Sequence, residues 1–205
     1  MMEIEKRHWY DGWFYDKLIA PNQDRLFGAI KSVIEEGSSV VDIGCGTGRL
    51  CFQLASRCNE VTGDDLSSKN IKSAGKKLRG KKSSNVKFIH ANGAALSNQL
   101  NRKFDYAVIT FMIHEIPPAD RNRILAETKL VAEKLIIGDY LAPLPKGFWT
   151  YLNKAVEFAA GSDHYKNFNL FVNAGGLLPL LERNGYKILQ EVKNIPTGTQ
   201  LIIAV

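Results

Sequence analysis

The chain has 205 residues, 45% of them hydrophobic and 23% charged, with a formal net charge of +6. Those proportions belong to a folded globular chain rather than a disordered one, and no stretch approaches the roughly 20 apolar residues that a bilayer span needs. The first residues, Met1 to Trp13, mix charge with aromatics and lack an apolar centre, so no secretion signal is expected and a cytoplasmic location is.

Leu26, Phe27, Ile30, Val33 and Ile34 recur at helical spacing and Gly37 stops the helix they define. Ser39–Ile43 reads as the first strand, followed by a glycine-rich turn and a helix start at Arg49-Leu50. Glu60–Asp64 is the second strand, and Ile71, Ala74, Gly75 and Leu78 give the next helix an apolar face, leaving Lys69, Lys72 and Lys76 on a wet one. Val86–His90 and Tyr106–Thr110 are strands, Pro117 and Pro118 open a helix carrying Ile124, Leu125 and Val131, and Lys134–Asp139 is the fifth strand. Phe168, Phe171 and Val172 precede a break at Gly175-Gly176; Leu177, Leu178 and Leu181 follow it, up to Gly185. Tyr186–Val192 and Thr199–Val205 complete the set.

Short strands alternating with helices make a parallel sheet covered on both faces. The last two strands are joined by only Asn194-Ile195-Pro196-Thr197-Gly198, too short for a parallel crossover, so the final strand is expected to run antiparallel. With no repeat or linker, residues 1–205 read as one domain, in which 1–37 form a helical cover and 141–176 an insertion on the acceptor side.

Chemistry concentrates after the first strand. Val41-Asp42-Ile43-Gly44-Cys45-Gly46-Thr47-Gly48 is a strand ending in an acid and a turn whose glycines let backbone approach a ligand closely, with free amides of the following helix beyond it. Arg49 stands where the dinucleotide fingerprint has its third glycine, which weighs against a nicotinamide cofactor. About 20 residues on, a carboxylate at the end of the second strand can accept both hydroxyls of a ribose. Asp64 and Asp65 compete for that role, and strand alternation lets only one face the cleft; Asp65 is favoured and Asp64 is the alternate.

These residues resemble the class I S-adenosylmethionine-dependent methyltransferases. Val41–Gly48 is similar to the family's first motif, Val61-Thr62-Gly63-Asp64-Asp65-Leu66-Ser67 to its second, Val86–Ala94 to its third, and Phe104-Asp105-Tyr106-Ala107-Val108-Ile109 to its fourth strand. The resemblance implies an α/β, Rossmann-like three-layer sandwich with a seven-stranded, mostly parallel sheet. It also implies S-adenosylmethionine as cofactor, with Gly44 and Gly46 against the methionine part, Asp65 on the ribose and the Asn92-Gly93 turn at the adenine. The expected cofactor set is Asp42, Gly44, Cys45, Gly46, Gly48, Asp65, Leu66, Asn92 and Gly93. Asn92 departs from the family, which often has an acid there; its amide carbonyl accepts the same bond without charge assistance. Within the family, the Tyr10–Tyr15 start and the His114-Glu115-Ile116-Pro117 turn resemble small-molecule methyltransferases of the ubiquinone and menaquinone biosynthesis type.

Methyl transfer from a sulfonium is an in-line displacement in which the protein mainly aligns the reactants, and a base is needed only for an acceptor that must lose a proton. His114 and Glu115, beyond the fourth strand, and Tyr140, after the fifth, sit at the carboxyl edge where open α/β sheets bind ligands and are the catalytic candidates; the other use of His114 is to cap the nearby helix or to hydrogen-bond within its loop. His164 and Tyr165 are candidate acceptor contacts, as are Tyr10 and Tyr15, which with Trp9, Trp13 and Phe14 form a candidate lid. Cys45, Cys51 and Cys58 have neither the spacing nor the histidines of a metal site, so no metal is expected, and Cys51 and Cys58 read as packing on one helix face.

A small-molecule acceptor is the leading expectation. Leu66 to Phe104 holds ten Lys and Arg and no Asp or Glu, which makes RNA a competing acceptor, although aromatics for base stacking are scarce there. A cofactor-binding protein without transfer activity and a nicotinamide oxidoreductase are the further alternatives.

Overall fold

The computed structural model describes residues 20–81, 83–195 and 197–205. The expected lid residues Trp9, Tyr10, Trp13, Phe14 and Tyr15 lie outside the described residues.

Seven strands form one sheet in the order β3-β2-β1-β4-β5-β7-β6: β1 Ser39–Ile43, β2 Glu60–Asp65, β3 Val86–His90, β4 Phe104–Thr110, β5 Ala132–Tyr140, β6 Ile188–Asn194 and β7 Thr199–Ala204. The pairs β1·β2, β1·β4, β2·β3 and β4·β5 are parallel, with Val41 opposite both Thr62 and Ala107. β7 runs antiparallel to β5 and to β6, as its short connection requires. The strand order reverses between β1 and β4, which opens a crevice at their carboxyl ends.

All five residues of β1 are buried, because side chains on both faces are covered. On one face α1 (Ala20–Val33), α2 (Arg49–Leu54) and α3 (Ser68–Lys81) lie over Val40, Val61, Val108 and Ile136, with Ile30 and Leu54 at the centre. On the other, α4 (Pro118–Val131), α6 (Ser162–Asn173) and α7 (Leu177–Arg183) cover Ile43, Ile109 and Ile137 through Leu125, Phe168, Phe171 and Leu181. This is the three-layer sandwich that the strand pattern implied. A further helix, α5 (Phe148–Ala160), packs beside α6.

Several boundaries differ from the sequence reading. β5 runs from Ala132, directly after the last residue of α4, to Tyr140, longer at both ends than the expected Lys134–Asp139. β6 starts at Ile188, two residues later than expected, because Tyr186 is drawn into the core, where its hydroxyl meets Thr128 and the carbonyl of Leu125. α2 ends at Leu54, so Cys58 lies beyond it; Cys51 and Cys58 are both buried but do not share a helix.

Phe168 is fully buried and pins α6 to the sheet beneath it. Phe168→Ala should cost about 3–5 kcal/mol of unfolding free energy in a denaturant titration, whereas a loss below 1 kcal/mol would mean that α6 is not held by this contact.

Candidate active site

The turn after β1 is shaped by close approach. A Cβ on Gly44, which has φ 72°, would sit 2.4 Å from Met112 Sδ. At Gly46, φ 55°, a Cβ would meet nothing within 4 Å among the described residues, so within them this backbone fronts open space. The Gly46 N–H donates to Asp65 Oδ2 at 2.8 Å, and Asp65 Oδ1 accepts from Ser67 N at 2.8 Å and Asn70 Nδ2 at 3.2 Å. Asp65 is therefore held against the glycine turn at the crevice mouth. Asp64 points the other way into the sheet and is 1% exposed. Leu66, just after it, is 69% exposed and its carbonyl accepts from His90 Nε2 at 2.9 Å.

Two acids lie beneath this turn. Asp42 is buried and accepts from Cys51 Sγ at 3.2 Å, while Asp42 Oδ1 and Asp64 Oδ1 are buried without a hydrogen-bond partner among the described residues. Burial pushes the Asp42 carboxyl up to about 7 against the opposing Cys51 bond. Burial, reinforced by the charges of Asp42 and Asp65, pushes Asp64 up to about 8. Cys45, in the turn itself, donates its N–H to the Asp64 carbonyl at 2.8 Å. Gly48, φ 79°, precedes α2. Asn92 uses its side-chain carbonyl to accept Ala94 N at 3.0 Å, capping a short 3-10 turn, and a Cβ on the adjoining Gly93 would come within 2.8 Å of Ile43 Cγ2.

A second constellation is built where the loop after β4 meets the end of β5. His114 is 1% exposed; its Nδ1–H donates to Asp139 Oδ1 at 2.6 Å and its backbone N–H to Asp139 Oδ2 at 3.2 Å. Tyr140 N also donates to Asp139 Oδ1, at 2.7 Å. From α5, Glu157 reaches in: Tyr140 OH donates to its Oε1 at 3.1 Å, and that oxygen stands 3.4 Å from His114 Nε2. Glu115 Oε1 is 3.8 Å from His114 Nε2, and Glu115 Oε2 is 3.9 Å from His164 Nδ1. The rings of His114, Tyr140 and Phe168 meet edge to face, with the His114 and Tyr140 centroids 4.7 Å apart. Arg121 of α4 locks the loop by donating to the carbonyls of Ile116, His114 and Asn167.

The electrostatics follow from this crowding. Burial opposes a charge on His114, but the charge and hydrogen bond of Asp139, aided by Glu157, overcome it and hold the imidazole well above its ordinary range, which favours the imidazolium. Burial raises Glu115 to about 7; His114 opposes, and Glu157, Asp139 and Asp65 add to the rise. Asp65, at the end of β2, and the His114 network, beyond β4, both stand at the carboxyl edge of the parallel strands. Burial and Glu157 push the Tyr140 phenol well up.

Of the residues singled out from sequence, the structure brings His114, Glu115, Tyr140 and His164 together. Tyr165 packs its ring edge-on against Phe158 instead, at 5.6 Å between centroids. Asp139 and Glu157 were missed. Both carried a signal: Asp139 is an acid closing an apolar strand, as Asp42 is, and Glu157 is the sole acid between Leu141 and Ser162. The described residues hold no group of His, Cys, Asp or Glu arranged for a metal ion, and no helix among them is long and apolar enough to cross a membrane.

Residues 40–134 match a family model described as a methyltransferase domain. The demethylmenaquinone methyltransferase of Lactobacillus johnsonii is 27% identical over 175 residues, spanning 77% of this chain and 71% of that protein. The demethylmenaquinone methyltransferase of Geobacillus kaustophilus is 32% identical over 103 residues, 49% of this chain and 43% of the relative. Among solved structures, magnesium protoporphyrin IX methyltransferase from Synechocystis with bound SAH superposes with a TM-score of 0.67 at 21% identity, covering 96% of this chain and 90% of that one.

Raised carboxyl pKa values make a pH signature. Between about pH 4 and 7–8 the folded chain keeps protons on Asp42 and Asp64 that the unfolded chain has released, so stability should fall as pH rises through that window. Denaturant titrations at several pH values should show a shallower fall for Asp64→Asn, the difference approaching about 1.4 kcal/mol per pH unit for one proton; identical slopes would remove Asp64 from this explanation.

Proposed function

Because this chain is a class I S-adenosylmethionine-dependent methyltransferase, we propose that it methylates a small-molecule acceptor held at the His114 end of the crevice, with the cofactor held at the glycine-turn end. The residues present fit the cofactor. Open space in front of Gly46 admits a ligand against the backbone, Asp65 offers its carboxylate at the rim to ribose hydroxyls, and exposed Leu66 offers an apolar surface to a base. When bound, S-adenosylmethionine supplies a methyl group on a cationic sulfur, an electrophile that needs no further activation.

In this reading Gly44, Gly46 and Asp65 orient, Asp42, Cys45 and Gly48 shape the turn, and Asn92 with Gly93 closes the adenine side. Asp139 fixes the position of His114 and, by favouring its protonated form, makes Nε2 a hydrogen-bond donor rather than a proton acceptor. Glu115, near 7, and Glu157 remain as groups able to accept one.

The observation that carries a small acceptor is the sign of the site: Asp139, Glu157 and Glu115 crowd around one imidazolium. A polyanion entering there meets repulsion, so the basic surface of α3 does not make RNA the better substrate. The names of the demethylmenaquinone relatives point the same way, toward a quinone-sized ring.

Isothermal calorimetry with S-adenosylhomocysteine tests the cofactor half. Asp65→Ala should weaken binding by about 1.5–3 kcal/mol, the worth of a charged acceptor, and unchanged affinity would take the ribose role away from Asp65. Tritiated donor offered with a panel of phenols, quinols, amines and RNA tests the acceptor half: label in a small molecule is expected, and label in RNA alone overturns it.

A further inference from the structure

α5 contributes a single acid, Glu157, and turns it inward, where it is 4% exposed. Its Oε1 is taken by Tyr140 OH at 3.1 Å. Its Oε2 has no hydrogen-bond partner among the described residues, and neither has His114 Nε2, although Nε2 lies only 3.4 Å from Glu157 Oε1. A buried acceptor without a donor and a buried donor without an acceptor are each costly, more so when charged. Side by side, they specify what would satisfy them. A carbonyl meets only the imidazolium N–H, an ammonium only the carboxylate, and an anionic group is repelled by Glu157, Asp139 and Glu115. A hydroxyl does both, accepting from His114 and donating to Glu157.

We infer that the acceptor presents a hydroxyl of phenolic acidity between His114 Nε2 and Glu157 Oε2, and that Glu157 takes its proton. This rests on the assignment of the His114 end to the acceptor. The O–H proton passes to Oε2 and its electron pair stays on the oxygen, which the His114 N–H stabilises. That oxygen's pair forms the bond to the methyl carbon, the C–S pair stays on the donor sulfur, and the carboxylic acid of Glu157 later returns its proton to solvent. His114, whose Nδ1–H is taken by Asp139 and which that carboxylate holds above its ordinary range, is placed to donate from Nε2, leaving Glu157 to take the proton. The groups facing Glu157 are Tyr140 and Asp139 from β5, His114 and Glu115 from the loop after β4, His164 from α6 and, behind them, Arg121 from α4.

The test uses 4-nitrophenol, whose phenolate and phenol forms absorb at different wavelengths, titrated into protein saturated with S-adenosylhomocysteine. Calorimetry confirms saturation for each variant beforehand, and circular dichroism confirms its fold. Because the Glu157 carboxylate accepts the probe's O–H and repels its phenolate, bound probe should ionise in the wild-type protein at a pH higher than in Glu157→Gln by about one unit, a tenfold shift. Glu157→Asp should keep part of that difference. An equal ionisation pH in wild type and Glu157→Gln, or no saturable binding to the loaded wild-type protein, overturns the inference. Failure of the wild-type protein to bind S-adenosylhomocysteine would instead overturn the cofactor assignment.

Discussion

The bond between His114 and Asp139 is the contact on which the rest of the crevice depends. At 2.6 Å, with both side chains buried, it joins the loop after β4 to the end of β5. Asp139 also takes the backbone N–H of His114 and of Tyr140, so one carboxylate sets a ring, a turn and the strand end together. Burying such a pair costs desolvation that its own attraction barely repays, and removing one partner strands a charge at about 3–5 kcal/mol. Apolar residues would fill the same volume at no such cost. In the proposed function that cost is met by chemistry, since an imidazole among three acids is the kind of cluster that marks a functional-site candidate.

The glycine turn answers to a related constraint. Parallel strands deliver their carboxyl ends to one edge, and the reversal between β1 and β4 leaves that edge open. Gly44 lets the turn press against Met112, which follows β4, while Gly46 reaches across to Asp65 at the end of β2. Three strand ends are thereby tied around one space. Acids at both ends of it favour a cationic donor and a neutral acceptor.

Much of this was legible in the residues. β1 and β3 have the expected bounds, β1 because a run buried on both faces between polar turns leaves little choice. The antiparallel β7 follows from a connection too short to cross the sheet. Asp65 was separable from Asp64 only by strand alternation, and the structure places Asp65 at the mouth and Asp64 inside. What escaped has physical reasons. α5 has no side-chain cap and begins and ends at glycine, so the segment read as an insertion. Glu157 becomes significant only when α5 folds back over the end of β5, a long-range contact that no local pattern announces. Tyr186 looked like the start of a strand but serves as a plug, its hydroxyl satisfied by α4.

The claim beneath the whole account is that one crevice seats an adenosyl donor at the glycine turn and an acceptor under α5. A crystal structure with S-adenosylhomocysteine tests it most directly. The account predicts density for the ribose on Asp65 and for the homocysteine chain along Gly44 to Gly46, with the sulfur facing the His114 and Glu157 side chains. Density for the nucleoside in the groove between α1 and the β6–β7 hairpin, lined by Arg25, Ala29, Val192 and Asn194, would contradict it.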